Sequence, residues 1–508
     1  LAARGALVVA GTVLLSAAVG CHSGNNPSAS STTPAAGSSI VQPADAGPYV
    51  SSPDGTAPLR SITGMVDGWN VISPAADRYT SDDNALLHDF GQDVTMAFGA
   101  KGAPVVIWAS LTDPPNNGYT ISSANLGPDG KWQAPVDVAR TRLAPGPTGS
   151  VLSAAGDAST NVVAVVTERR DDNSVATGID LYLSADDGAS WVKTGITDAE
   201  AYRPTIALSG SNLFVAYQGT TGDVLTTSVL PPVKHDAKNA LDGADLRTMT
   251  WSTQNVPAPE GAAAPLGTPT VAVDRDGHPG LVGEFAEAAS NRRVVAFWHP
   301  GMDRPSAVTE TDATAGTLDV VDLVYRGNDP IASVSRPAPT NGEVAEVGIS
   351  PDGGRTFLPA VPVPTRNGER ASFGVTMAIA APPGAAGTDD TGTTDTTAAD
   401  TAPPDTSASA AAPTIGLAYL PDVQAPVDDP DGCGLPRLAM STNLTDWRTC
   451  GPTDDNRRDP RSAVQPANLF QAVVAGPDGA LYLPVTNRNP EGTLPAGIVV
   501  WRQPTSSP

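Results

Sequence analysis

Few residues in this sequence are spaced for chemistry. The five histidines, His22, His88, His235, His278 and His299, stand far apart and lack the spacing that gathers ligand atoms around one metal. Asp274-Arg275-Asp276-Gly277 has the opening of a calcium loop, but no Glu follows where such a loop needs its bidentate ligand. A polar hairpin tip is the expectation there, with no metal and no cofactor. Arg203, in Tyr202-Arg203-Pro204-Thr205-Ile206, and Arg370, ahead of Phe373-Gly374-Val375, each stand at the entry of an apolar run. Guanidinium groups so placed would grip an anion if several converged. The chain has neither a phosphate-cradling glycine loop nor a G-x-S-x-G elbow.

The scaffold that must hold these groups is bounded by composition. Of 508 residues, 50 are Gly and 49 are Pro, about a fifth of the chain, well above the usual share. Each interior Pro costs about 3 kcal/mol of helix, so helical bundles are excluded. The 54 acidic against 30 basic residues give a net charge of −24, which removes the electrostatic term behind nucleic-acid affinity. No nucleic-acid partner is expected. With 40% hydrophobic residues the chain can still bury a large core.

The N-terminus is an address. Leu7 to Ala18 is apolar, preceded by Arg4 and closed by Ala18-Val19-Gly20-Cys21, short of the ~20 residues a spanning helix needs. This resembles a bacterial lipoprotein signal, which implies cleavage after residue 20, a lipid on Cys21 and extracytoplasmic anchorage to the cell membrane. Residues 21–60, rich in Ser, Thr, Pro, Ala and Gly, have the composition of a disordered tether. With Cys21 lipidated, Cys433 and Cys450 remain as an even pair in an exported chain, and a disulfide between them is expected. The abundance of Ala, Pro, Thr and Asp with few Lys is similar to lipoproteins of actinobacterial type.

Residues 61–508 read as a repeat of small β-sheets. At intervals of roughly 50 residues an alternating run turns through Gly, Asp or Asn into a second apolar run. Thr205-Ile206-Ala207-Leu208 turning into Leu213-Phe214-Val215-Ala216-Tyr217 is one instance, and Thr270-Val271-Ala272-Val273 turning at Asp274 to Gly277 is another. Third runs such as Ile179 to Leu183 follow, then fourth runs opened by Trp132, Trp191, Trp251, Phe357 or Trp447. Seven units of four antiparallel strands predict an all-β propeller, six blades being the alternative. The last unit stops at Ile498-Val499-Val500-Trp501 without a fourth strand, and Trp69 to Ser73 has the form of an orphan strand that would complete it. Residues 384–414, mostly Thr, Ala, Asp, Pro, Ser and Gly, interrupt the sixth unit and cannot bury a core. Lys234 to Arg247 has room for one short helix.

Two third-to-fourth turns carry a family resemblance. Ser184-Ala185-Asp186-Asp187-Gly188-Ala189-Ser190-Trp191 and Ser350-Pro351-Asp352-Gly353-Gly354-Arg355-Thr356-Phe357 both fit S-x-D-x-G-x-[ST]-[WF]. They resemble the Asp boxes of sialidase-like, BNR-repeat propellers; Ser441 to Trp447 is a degraded copy and Gly127 to Trp132 a shorter one. The resemblance implies a structural role for Ser184, Asp186, Gly188, Trp191, Ser350, Asp352, Gly354 and Phe357, on the face away from any active site. A sialidase of this family would also need three arginines, a Tyr–Glu nucleophile pair and an acid/base Asp. Arg203 is the nearest match to the first arginine, but without the Ile that the family places before Pro, and no third arginine or Tyr–Glu pair is evident. The expected function is therefore that of a lipid-anchored extracytoplasmic module, monomeric, that binds or scaffolds a glycan or an envelope protein without catalysis. A sialidase-type hydrolase acting on acidic sugars is the alternative.

Overall fold

The computed structural model describes residues 65, 68–74, 93–99, 102–113, 118–127, 129–142, 152–157, 160, 162–170, 176–196, 201–231, 246, 249–287, 292–312, 321–337, 343–364, 371–380, 413–421, 437–450, 470–487 and 497–503. They form seven four-stranded antiparallel blades arranged in a ring, a seven-bladed β-propeller. Blade 1 comprises Asp93–Phe98, Pro104–Asp113, Gly118–Asn125 and Val136–Arg142, with Phe470–Gln471 added in parallel to its inner strand. Blade 2 runs from Leu152–Gly156 to Val192–Ile196, and blade 3 from Tyr202–Ser209 to Ser252–Asn255. Blade 4 ends at Ser306–Asp312; blade 5 starts at Val321–Arg326 and blade 6 at Ala371–Ala380. The sheets of blades 5 and 6 are continuous through one ladder pair, Glu343 with Ala371.

The ring closes by the expected device. Gly68–Pro74 pairs antiparallel with Gly497–Arg502, Trp69 opposite Trp501, and so supplies the outer strand of blade 7. Pairing the two ends buries an edge that would otherwise template association.

Period-two alternation turns each strand's apolar residues to the two faces of its blade, so every blade packs on both neighbours. Each of the seven seams holds its own apolar cluster. Val106, Trp108 and Tyr482 fill the seam between blades 7 and 1, and Val282, Phe297 and Leu323 that between blades 4 and 5.

The inner strands are also stapled by a polar device. Ser153 Oγ accepts the Ile206 N–H (3.2 Å), Thr205 Oγ1 the Val271 N–H (3.2 Å) and Thr376 Oγ1 the Val473 N–H (3.0 Å). Asp322 Oδ2 takes the same place toward Met377 N–H at 2.6 Å. In each case one blade's inner strand accepts from the next, at seams 2–3, 3–4, 6–7 and 5–6. Apart from Phe470–Gln471 on Asp93–Val94, no ladder joins the described inner strands to one another, so these side chains supply hydrogen bonds that cross the seams.

Of the earlier expectations, Cys21, Cys433, Arg370, residues 384–412 of the insert 384–414 and most of Lys234 to Arg247 lie outside the described residues, and Thr414 opens the strand Thr414–Pro421. Cys450 ends the outer strand of blade 6, Arg448–Cys450.

Candidate functional site

The two faces of the ring are set by strand direction. Each inner strand starts on one face, the mouth, and turns on the other, where the third-to-fourth turns also lie. The boxes therefore sit opposite the mouth.

Their geometry explains their residues. Ser184 Oγ donates to Asp186 Oδ1 (2.8 Å) and accepts the Gly188 N–H (2.8 Å), while Asp186 accepts the Ser190 N–H (2.8 Å) and hydroxyl (2.6 Å). Ser350, Asp352, Gly354 and Thr356 repeat the pattern. Backbone and side-chain donations from Thr356 hold the Asp352 carboxyl at about 2. Gly188 turns at φ +83°, and a Cβ there would stand 2.6 Å from Val105 of the preceding blade. Trp191 Nε1 donates to Ser123 Oγ of that same blade at 2.9 Å. In the degraded copy Asn443 Oδ1 accepts the N–H groups of Thr445 and Asp446, and Leu444 adopts φ +66°. These are turn-building groups that clamp neighbouring blades. Asp274 works alike: its Oδ1 accepts the N–H groups of Asp276 (2.9 Å) and His278 (2.8 Å) and closes the blade 4 hairpin.

At the mouth, charged groups gather on blades 2 to 4. Arg203 enters the blade 3 inner strand at φ +55°, rare for a residue with a Cβ, where the register with Asn212–Gly219 shifts between Tyr202 and Thr205. Pro204, which has no N–H, lies inside that irregularity. The Arg203 N–H points to Glu168 Oε2 of blade 2 (3.3 Å), and its Nη1 donates to Gln218 Oε1 (3.3 Å) and to the Leu266 carbonyl. Leu266 belongs to a break in the blade 4 inner strand, which pairs with Pro279–Glu287 as two pieces, Ala262–Pro265 and Thr270–Val273. Gln218 Nε2 donates to the Pro265 carbonyl of the same break at 2.9 Å.

The other arginines here are also engaged. Arg170 pairs with Glu168, Arg169 with Asp180 (2.9 Å) and Arg293 with Glu284 (2.9 Å), and all three carboxylates are buried. Among the described residues, then, each guanidinium of this cluster is bonded within the chain, and no set of three opens toward a ligand.

Asp223 differs from its neighbours. It stands opposite Gln218 in the ladder, is 1% exposed, and neither carboxylate oxygen has a hydrogen-bond partner among the described residues. Burial pushes its acid up to about 8, with Arg203 opposing. Only Gly283 could lie beneath it, because a Cβ there would come 2.6 Å from Asp223 Oδ2. A carboxyl kept neutral at pH 7 can donate a proton or a hydrogen bond.

The structure thus keeps Arg203 at the mouth but gives it seam-bridging bonds. Asp223, Glu168 and Glu284 were not singled out by sequence reading. For the inner-strand staples a signal was present: Ser153-Ala154-Ala155, Thr205-Ile206-Ala207 and Thr376-Met377-Ala378 share hydroxyl-x-Ala, a pattern that Thr95-Met96-Ala97 and Thr270-Val271-Ala272 also carry.

No protein-family model matches the chain, and no curated protein sequence matches it. Among solved structures, the chain is similar to the Hadza microbial sialidase Hz136 at 9% identity and TM-score 0.42, over 82% of this chain and 66% of that one. It is similar to the Trypanosoma rangeli sialidase in complex with sialic acid at 11% identity and TM-score 0.41, over 73% and 56%. A Penicillium chrysogenum alpha-L-arabinanase complexed with arabinobiose matches at 12% identity and TM-score 0.42, over 86% and 98%. The chain thus spans less than two thirds of the length of both sialidases. Likeness at this level carries no activity, and the seven-blade architecture stands on the strand pairing.

Proposed function

We propose that this chain is a lipid-anchored, extracytoplasmic propeller that binds a glycan or an envelope protein at its mouth and does not turn it over. One observation carries the reading: the guanidinium groups of Arg169, Arg170, Arg203 and Arg293 are already bonded inside the chain. A substrate carboxylate would have to displace a carboxylate, an amide or a carbonyl before it was held. Anchorage rests on Cys21 and the composition of residues 21–60; incorporation of labelled fatty acid, lost in Cys21→Ser, tests it.

The functional test is a glycan array probed with the detergent-solubilised full chain, run beside turnover of a fluorogenic sialoside. Binding without turnover is expected, with Arg203→Ala lowering stability. Turnover by the native chain that Arg203→Ala abolishes would establish the hydrolase instead. That second reading has one feature in its favour, Asp223, a buried carboxyl beside the mouth whose acid burial pushes up to about 8.

A further inference from the structure

The seam between blades 3 and 4 combines three features that rarely coincide without a use. Arg203 is held in left-handed backbone, the inner strand of blade 4 is broken where Arg203 meets it, and Asp223 is buried beside them with both oxygens unbonded. Buried polar groups of folded proteins are almost always paired, so an orphan carboxyl next to a guanidinium is a pairing withheld. Arg203 spends Nη1 on Gln218 and Leu266, both of them neutral acceptors. An ionised carboxylate is the stronger acceptor of a guanidinium.

We propose that Asp223 is a titratable latch on this seam: while neutral it leaves Arg203 on the Leu266 carbonyl of blade 4, and once ionised it takes Arg203 for itself and releases that carbonyl. The charge environment is simple. On its own strand, Gly222–Val229, Asp223 is the one charged residue, and Asn212–Gly219, Ser252–Asn255, Ala262–Pro265 and Thr270–Val273 carry none. Arg203 is the charge that acts on it from Tyr202–Ser209. On Pro279–Glu287 the acids are Glu284, occupied by Arg293, and Glu287, at the strand end opposite Ala262; Gly283 is what lies against Asp223. Glu168, at the Arg203 backbone, is engaged with Arg170. The switch therefore reduces to one proton and one guanidinium, with burial placing the transition near pH 8.

The released carbonyl belongs to the break whose Leu266 N–H bonds the Glu284 carbonyl, so the break should loosen as the latch opens. The latch needs no ligand and stands whatever the mouth binds. Hydrogen exchange followed by mass spectrometry over residues 262–273 of the full chain, at pH 6.5 and 9.5 and corrected for intrinsic rates, tests it. Protection should fall roughly fivefold on going to the higher pH, the worth of one net hydrogen bond, and Asp223→Asn, which stays neutral, should abolish the pH dependence. Equal pH dependence in the variant, or none in the native chain, overturns the proposal. If the variant fails to fold, carboxyl carbon resonances of labelled aspartate in the native chain decide. One buried resonance titrating near pH 8, together with a shift of the Arg203 Nε signal, supports the latch, and its absence refutes it.

Discussion

The turn face and the inner wall of this propeller use the same residue types to opposite effect. On the turn face a carboxylate meets donors from its own turn: Asp186 and Ser190 are four residues apart, as are Asp352 and Thr356. On the inner wall the partner comes from another blade, 53 residues away for Ser153 with Ile206 and 66 for Thr205 with Val271. The consequence shows in the acids. Asp352, supplied locally with N–H and O–H donors, is held at about 2, whereas Asp223, left unpaired in a seam, is pushed to about 8. Local turns build themselves from short sequence; the wall depends on the ring having closed.

If that contrast is right, the turn face should fail through sterics between blades and the wall through lost hydrogen bonds. The sharpest test is the pair Gly353 and Gly354, both at positive φ, +72° and +95°. A Cβ on Gly354 would stand 2.0 Å from Phe297, itself fully buried and packed on Phe357 with ring centroids 5.6 Å apart, so the ring has nowhere to go. A Cβ on Gly353 meets nothing within 4 Å. Gly354→Ala should cost about 3 kcal/mol or more, combining overpacking with left-handed strain. Gly353→Ala should cost about 1 kcal/mol, the strain alone. Urea denaturation of the two variants reads the difference, and equal losses would mean the box does not clamp blade 5 on blade 4.

Thr205→Val is the corresponding test of the wall. The hydroxyl accepts from Val271 N–H and donates to the Pro269 carbonyl (2.7 Å), both across the seam. The near-isosteric valine leaves them unpaired and should cost about 1–2 kcal/mol, again by urea midpoint. A neutral result would show that the seam holds on apolar packing alone.

The same contrast explains what could be read without coordinates. Seven units, their hairpins and the boxes rest on bonds between residues a few positions apart, so Ser184 to Trp191 and Ser350 to Phe357 announce themselves, and even the closing strand Trp69 to Ser73 was visible as a missing fourth member. Arg203 was visible as a residue but not in its bonds, because Gln218 and Leu266 lie 15 and 63 residues on. Asp223 carries no local signal: what makes it unusual is Gly283 of the next blade and two buried oxygens without a hydrogen-bond partner among the described residues. The hydroxyl-x-Ala pattern is present in five inner strands, but it acquires meaning only when inner strands are superposed by register.

Asp322 offers the finest test, because it breaks that pattern. It replaces the hydroxyl in blade 5 and accepts two N–H groups, from Leu323 (2.8 Å) and Met377 (2.6 Å), yet burial outweighs both donors and raises its acid from 3.8 to about 7. Between those values the folded chain holds a proton that the unfolded chain has released. Stability from this group is therefore full below about pH 4, falls as the pH rises toward about 7, and is level above. Asp322→Thr restores the group that Thr205 and Thr376 supply at their seams and removes the titration. The variant should match the native chain, or fall slightly below it for the lost Leu323 bond, at pH 4. It should gain on the native chain steadily to pH 7, with no further gain beyond. Thermal unfolding across that range measures the difference curve, to which Asp223 contributes nothing because both chains retain it. A flat difference would mean that the seam between blades 5 and 6 keeps Asp322 ionised, and that a carboxylate serves the wall as comfortably as it serves the boxes.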